Sequence, residues 1–184
     1  MTALVRTTAL CGAFAALYVV LYHVSSLISA PQGFQGVASA IFLPAFVRLL
    51  GFLLIGYWII PALFLGGAFL SLTGSYDLAP GVTVELVMTA FTAVGGPFGV
   101  FVASRVGRLQ PSLENLTALR LMGLSIGCAA GNAVFHRMAI EVVGITPGNV
   151  QQDFVIFFGD FVGTWVIIYL IKTVLTLYGY ARRT

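Results

Sequence analysis

The sequence predicts an all-α fold, a polytopic bundle of transmembrane helices that forms one integral membrane domain over residues 1–184. Three observations lead there. Of the 184 residues, 59% are hydrophobic and only 8% are charged, whereas a soluble domain carries roughly a quarter charged residues. Several apolar runs reach about 20 residues, the length that crosses hydrocarbon at about 1.5 Å rise per residue. These runs do not alternate between polar and apolar positions, as the roughly ten-residue strands of a membrane β-barrel do. No loop is long enough for a separate soluble domain.

Six spans are expected in order along the chain. Thr8–Ser29 is the first, preceded by Arg6 and carrying His23. Its apolar run continues to full spanning length, unlike the short core of a cleaved signal peptide. Ala30–Gly36 is an uncharged, turn-rich loop. Val37–Gly56 is the second span, with Pro44 near its start and Arg48 near its middle. A tight corner at Gly56–Trp58 leads to a short third span, Trp58 to about Thr73, with Pro61 near its start. Gly74–Gly81 is a polar loop containing Asp77. Val82–Ser104 is the fourth span, with Glu85 at its start and an interior break expected at Gly95-Gly96-Pro97-Phe98-Gly99. Arg105–Leu116 is polar, and Thr117 to about Val143 is the fifth span, ending on His136, Arg137 and Glu141. After the loop Gly144–Gln152, Asp153–Tyr178 is the sixth, and Arg182-Arg183 close the chain.

Basic residues set the orientation of such a bundle. With both termini cytoplasmic, Arg6, Arg105, Arg108, Arg120, Lys172, Arg182 and Arg183 all fall on the cytoplasmic side. Asp77, Glu85, Glu141 and Asp153 fall on the other. The net charge of +3 therefore serves topology and does not indicate nucleic-acid binding. The expected location is the bacterial cytoplasmic membrane. The expected partners are membrane lipid and other membrane subunits or a signalling protein.

Arg48 has no nearby carboxylate in sequence, and an arginine at membrane depth needs a partner or a water-filled niche. Asp160, inside the sixth span, is the candidate. It lies roughly 10 Å below the outer surface and Arg48 roughly 15 Å below it. Such a pair either fixes two helices or acts as the switch of a sensor. Glu85, Arg137 and His136 lie in the same half and are candidates for a wider cluster.

Gly123, Gly127 and Gly131 recur every four residues, and Gly159 and Gly163 flank Asp160. Both sets let a neighbouring backbone approach closely, within the bundle or from another protein. His23 and His136 on separate helices are a remote candidate pair for haem; hydrogen-bonded imidazoles are the plainer reading. Cys11 and Cys128 stand in apolar runs without a second ligand at metal spacing. No nucleophile–base pair, phosphate-cradling loop or metal motif appears, so neither catalysis nor a cofactor is expected.

Phe42-Leu43-Pro44-Ala45-Phe46-Val47-Arg48, the glycine corner, Trp58-Ile59-Ile60-Pro61-Ala62-Leu63-Phe64-Leu65-Gly66 and Gly159-Asp160-Phe161-Val162-Gly163 occur in that order. Together they resemble the MASE1 family of bacterial membrane-associated sensor domains, over about Ile41 to Thr176. The family has more spans than the six counted here. Its members feed cytoplasmic histidine kinases, diguanylate cyclases or phosphodiesterases. The resemblance implies a sensory or regulatory module whose output comes from a partner protein. The alternatives are a non-catalytic accessory subunit of a larger membrane complex and a small-solute transporter with Arg48 on its path.

Overall fold

The computed structural model describes residues 3–28, 41–76, 81–144 and 150–181. These form α1 (Ala3–Ile28), α2 (Ala45–Ile55), a 3₁₀ turn (Gly56–Trp58), α3 (Ile59–Leu72), α4 (Val82–Val106), α5 (Ala118–Val142) and α6 (Val150–Ala181). The loop expected over Ala30–Gly36, together with Asp77, Gly148 and the terminal arginines, lies outside the described residues. Helices dominate for a physical reason. Lipid offers backbone N–H and C=O groups no partners, so each segment must satisfy its own. At the start of α5, Thr117 is the N-cap, and its hydroxyl accepts from the Arg120 amide at 3.3 Å.

Among the described residues, five stretches are long and apolar enough to cross a membrane: Val5–Ile28, Ala45–Leu72, Val82–Val106, Ala118–Val142 and Gln151–Tyr178. Six separate spans were expected. The difference lies in the second stretch, which is α2 and α3 joined by the 3₁₀ turn. Contacts with α1 show that this stretch reverses direction. The Leu43 amide, at the start of α2, donates to Ser25 Oγ at 2.8 Å. The Trp58 carbonyl accepts from Cys11 Sγ at 3.2 Å. Beyond α3, the Ser75 carbonyl accepts from the Tyr22 hydroxyl at 3.0 Å. Cys11 and Ser25 are about 21 Å apart along a straight helix. Both open ends of the hairpin therefore lie beside the C-terminal half of α1, and its corner lies beside Cys11.

At Gly56 the backbone has φ 60° and ψ −135°, a combination that only glycine adopts readily. α2 has 11 residues, about 16 Å, which is half of a hydrocarbon core of about 30 Å. The second expected span is thus a half-helix. It starts late because its leading residues pack inside the bundle: the Phe42 amide donates to the Gly159 carbonyl of α6 at 2.9 Å.

α4 is helical from Val82 to Val106 straight through Pro97, so the expected break at Gly95–Gly99 does not occur. These glycines act in packing instead. A Cβ on Gly99 would collide with the Gly127 carbonyl, and one on Gly131 with the Gly95 carbonyl. α4 and α5 thus touch backbone to backbone, the close approach that small residues permit in membranes.

Cross-contacts give α1, α3 and α5 one direction and α2, α4 and α6 the other. One end of the bundle therefore gathers Arg6, Arg105, Arg108, Arg120 and Lys172, with Glu114 as its acidic exception. The opposite end carries Glu85, Arg137, Glu141 and Asp153. The core lies between the two ends. Phe14, Tyr18, Val47, Ile59, Leu63 and Leu70 fill the space among α1, α2 and α3. Leu49, Val100, Leu124 and Cys128 join α2, α4 and α5.

Candidate functional site

At the centre of the bundle, Arg48 Nη1 lies 2.9 Å from Asp160 Oδ2, and both side chains are almost completely buried. Asn132 Nδ2 donates to the same carboxylate oxygen at 2.7 Å. Three helices thus meet on one carboxylate: α2 through its arginine, α5 through its amide and α6 through the acid itself. Thr164, one turn beyond Asp160, donates to the Asp160 carbonyl at 2.8 Å.

The local folding explains this meeting point. Pro44 starts α2, which places Arg48 on its first full turn. Gly96 on α4 leaves room for the arginine stem, since a Cβ there would sit 2.7 Å from Arg48 Cδ. Gly163 lets the Phe42 backbone lie directly on α6. On the remaining side, the guanidinium lies 5.1 Å from the centroid of the Phe42 ring and 5.9 Å from that of Tyr18. Cation–π attraction is strongest where water is excluded, as it is here. Tyr22 continues the aromatic wall, with its ring edge-on to Phe42 at 6.4 Å and to Tyr76 at 5.0 Å.

This arrangement compensates a costly burial. An ion pair moved out of water loses several kcal/mol of solvation per ion, which close geometry and further hydrogen bonds must offset. Here the carboxylate has two donors and the guanidinium two aromatic faces. The compensation is incomplete. Arg48 Nε, Asn132 Oδ1 and His136 Nδ1 are buried without a hydrogen-bond partner among the described residues. His136 is one turn from Asn132 on α5. The junction therefore carries unspent donor and acceptor capacity on adjoining turns.

The wider cluster expected from sequence divides in two. Arg137 faces the acidic end, 3.5 Å from both Asp153 and Glu141, in partly exposed pairs. Such pairs contribute little, typically ~0–1 kcal/mol. Glu85 is buried in the first turn of α4. The two histidines do not share a site: His23 is on the exposed face of α1 against Tyr22, while His136 is on the buried face of α5. Among the described residues, no group of three or more His, Cys, Asp or Glu side chains is placed to hold a metal ion.

Of the α5 glycines, Gly127 and Gly131 pack on α4, whereas nothing lies within 4 Å of a Cβ on Gly123. Gly123 is therefore no part of that interface. Sequence reasoning missed Asn132, Tyr18, Phe42 and Tyr76. Asn132 had a readable signal, an amide four residues from both Cys128 and His136 on an apolar helix. The aromatic wall had none, because aromatic residues abound in every span.

No protein-family model, no curated protein and no solved structure matches this chain.

Proposed function

We propose that this chain is a sensory or regulatory module of the bacterial cytoplasmic membrane, of the MASE1 kind, that acts through a partner protein. In this reading the Arg48–Asp160–Asn132 junction is the element with two arrangements, and α6 carries its state to the partner.

The observation that carries the reading is the continuity of α6. One unbroken helix of 32 residues holds Asp160 in the core and also supplies the exposed residues Tyr169 to Tyr178. A helix is stiff along its axis, so a shift where Asp160 meets Arg48 moves the far turns with it. Those turns are exposed on every face and add nothing to the chain's own core. They suit contact with another protein. Small shifts become large responses where a packed interface has two discrete arrangements. A buried pair with unpaired polar atoms beside it is a suitable basis for that behaviour.

The transporter reading has less support, since Arg48 is only 3% exposed, and neither the groove between α1 and α3 nor that between α4 and α5 includes it. The accessory-subunit reading has lost part of its support, since Gly127 and Gly131 are occupied within the chain.

The test uses membranes solubilised in mild detergent, with co-purifying proteins identified and assayed. A kinase, cyclase or phosphodiesterase whose activity depends on the chain, and which stops responding with Arg48→Leu/Asp160→Leu, supports the reading. A folded double variant that leaves every partner's activity unchanged overturns it.

A further inference from the structure

At the basic end, a groove of about 270 Å³ runs between the last turns of α4 and the first turns of α5. Its walls include Ala103, Ser104, Gly107, Leu119, Arg120 and Gly123. Small residues on both helices leave the space open. Nothing lies within 4 Å of a Cβ placed on Gly123, in contrast to Gly127 one turn deeper, where such an atom would meet Gly99 and Ala103. Val106 and Leu119 at the mouth are 80% and 73% exposed, so the groove opens onto the apolar perimeter of the bundle.

One arginine, Arg120, lines this opening, at the basic end of the bundle. Arg105 and Arg108 belong to the adjoining end of α4, and Glu114 is the single carboxylate between them and Arg120 in sequence. Arg105, on the same end of α4, lies over Phe101, its guanidinium carbon 5.1 Å from the ring centroid. Arg120 donates from Nη1 to the Asn115 carbonyl, which uses one of the five N–H donors of a guanidinium and fixes its position. An apolar slot thus ends on one positioned arginine at the basic end of the bundle. Basic pockets between membrane helices at such an end suit anionic lipid headgroups.

We infer that this groove is a binding site for an anionic glycerophospholipid, with one acyl chain between α4 and α5 and the phosphate at Arg120. The site is remote from the Arg48 junction and does not depend on the proposed function. It is shaped by the same glycine repeat that packs α4 on α5. That repeat closes the helices together at Gly127 and leaves them open at Gly123. Guanidinium groups bind phosphate through paired N–H donors, which a lysine ammonium does not reproduce in geometry. The net positive charge of this end of the bundle favours a lipid with net negative charge over the zwitterionic phosphocholine group.

The test is native mass spectrometry of the purified chain titrated with phosphatidylglycerol and, separately, phosphatidylcholine of matched acyl length. Phosphatidylglycerol is expected to bind more tightly. Arg120→Gln is expected to lower its affinity about fivefold, the factor one basic residue contributes at an anionic lipid surface. Arg120→Lys, which keeps the charge and loses the paired donors, should fall between the parent and Arg120→Gln. Gly123→Leu, which fills the slot, should remove retention of both lipids. Equal affinities for the two lipids, or a preference that survives Arg120→Gln, would overturn the assignment. So would displacement of the lipid by inorganic phosphate at millimolar concentration, which would identify a free-anion site instead. If Gly123→Leu does not fold, the Arg120→Gln and Arg120→Lys pair decides the matter alone.

Discussion

The Phe42 amide donates to the Gly159 carbonyl at 2.9 Å, and Gly163, one turn further along α6, lies against the Phe42 carbonyl. The start of α2 is therefore attached to the interior of α6 by its backbone. This attachment sets the depth of Arg48 and hence its reach to Asp160. It also accounts for Gly163, where a Cβ would collide with the Phe42 backbone.

Gly163→Leu is expected to push the Phe42 segment off α6. Overpacking of a close contact costs about 1–3 kcal/mol, and here it also pulls Arg48 from its partner. Thermal unfolding should drop clearly. A further Asp160→Leu change in that background should cost much less than it does in the parent, because the pair is already broken. A Gly163→Leu protein that melts like the parent would remove the attachment from the account.

The α5 glycines differ in what they touch, so their substitutions should differ. Gly127→Leu forces a side chain into Ala103 and the Gly99 backbone and should lower the yield of monodisperse protein severely. Gly123→Leu meets nothing within 4 Å at its Cβ and should leave the yield near that of the parent. Gel filtration in one detergent compares them. Equal behaviour of the two variants would mean that α4 and α5 do not meet at Gly99 and Gly127.

Much of this organisation was legible in the sequence. The apolar runs, the corner at Gly56–Trp58 and the ionisable pair follow from composition, glycine placement and the cost of charge in lipid. Other features were not legible. The half-length of α2 depends on a hydrogen bond to α6, a tertiary contact that no local pattern encodes. Pro97 looked like a helix break, yet α4 continues through it because its flanking glycines pack against α5. The glycine repeat read as one uniform face. Only the contact with Gly99 and Ala103 of α4 separates Gly127 from Gly123.

The hairpin corner gives a prediction about backbone alone. Nothing lies within 4 Å of a Cβ on Gly56, yet its φ is +60°. Gly56→Ala should therefore destabilise by about 1–3 kcal/mol through conformation, without any clash. A thermal-shift loss with unchanged gel-filtration behaviour is expected. An unchanged melting temperature would mean that the corner adopts another conformation in the membrane.

Orientation rests on the gathering of arginines at one end. A reporter fused after Arg183 should read cytoplasmic, and one inserted at Gly148 should read periplasmic. The opposite result at both positions would invert the bundle, and the same side at both would remove the crossing by α6.

The most informative experiment is a double-mutant cycle on the central pair. Arg48 and Asp160 are 2.9 Å apart and nearly water-free. Removing either leaves the other buried without its counter-charge, which costs about 3–5 kcal/mol. Arg48→Leu and Asp160→Leu should each be strongly destabilising. The double variant should recover much of the loss, because no buried charge is left unpaired. Asn132→Leu tests the third member: it removes one charge-assisted hydrogen bond and should cost less, about 1.5–3 kcal/mol. Thermal unfolding of these variants in one detergent settles the arithmetic. Additive losses for Arg48 and Asp160 would show that the residues do not act as a pair in the membrane. Recovery of stability without recovery of partner regulation would separate the two roles of the junction. The charges would then be dispensable for holding α2 to α6 and required for passing a signal along α6.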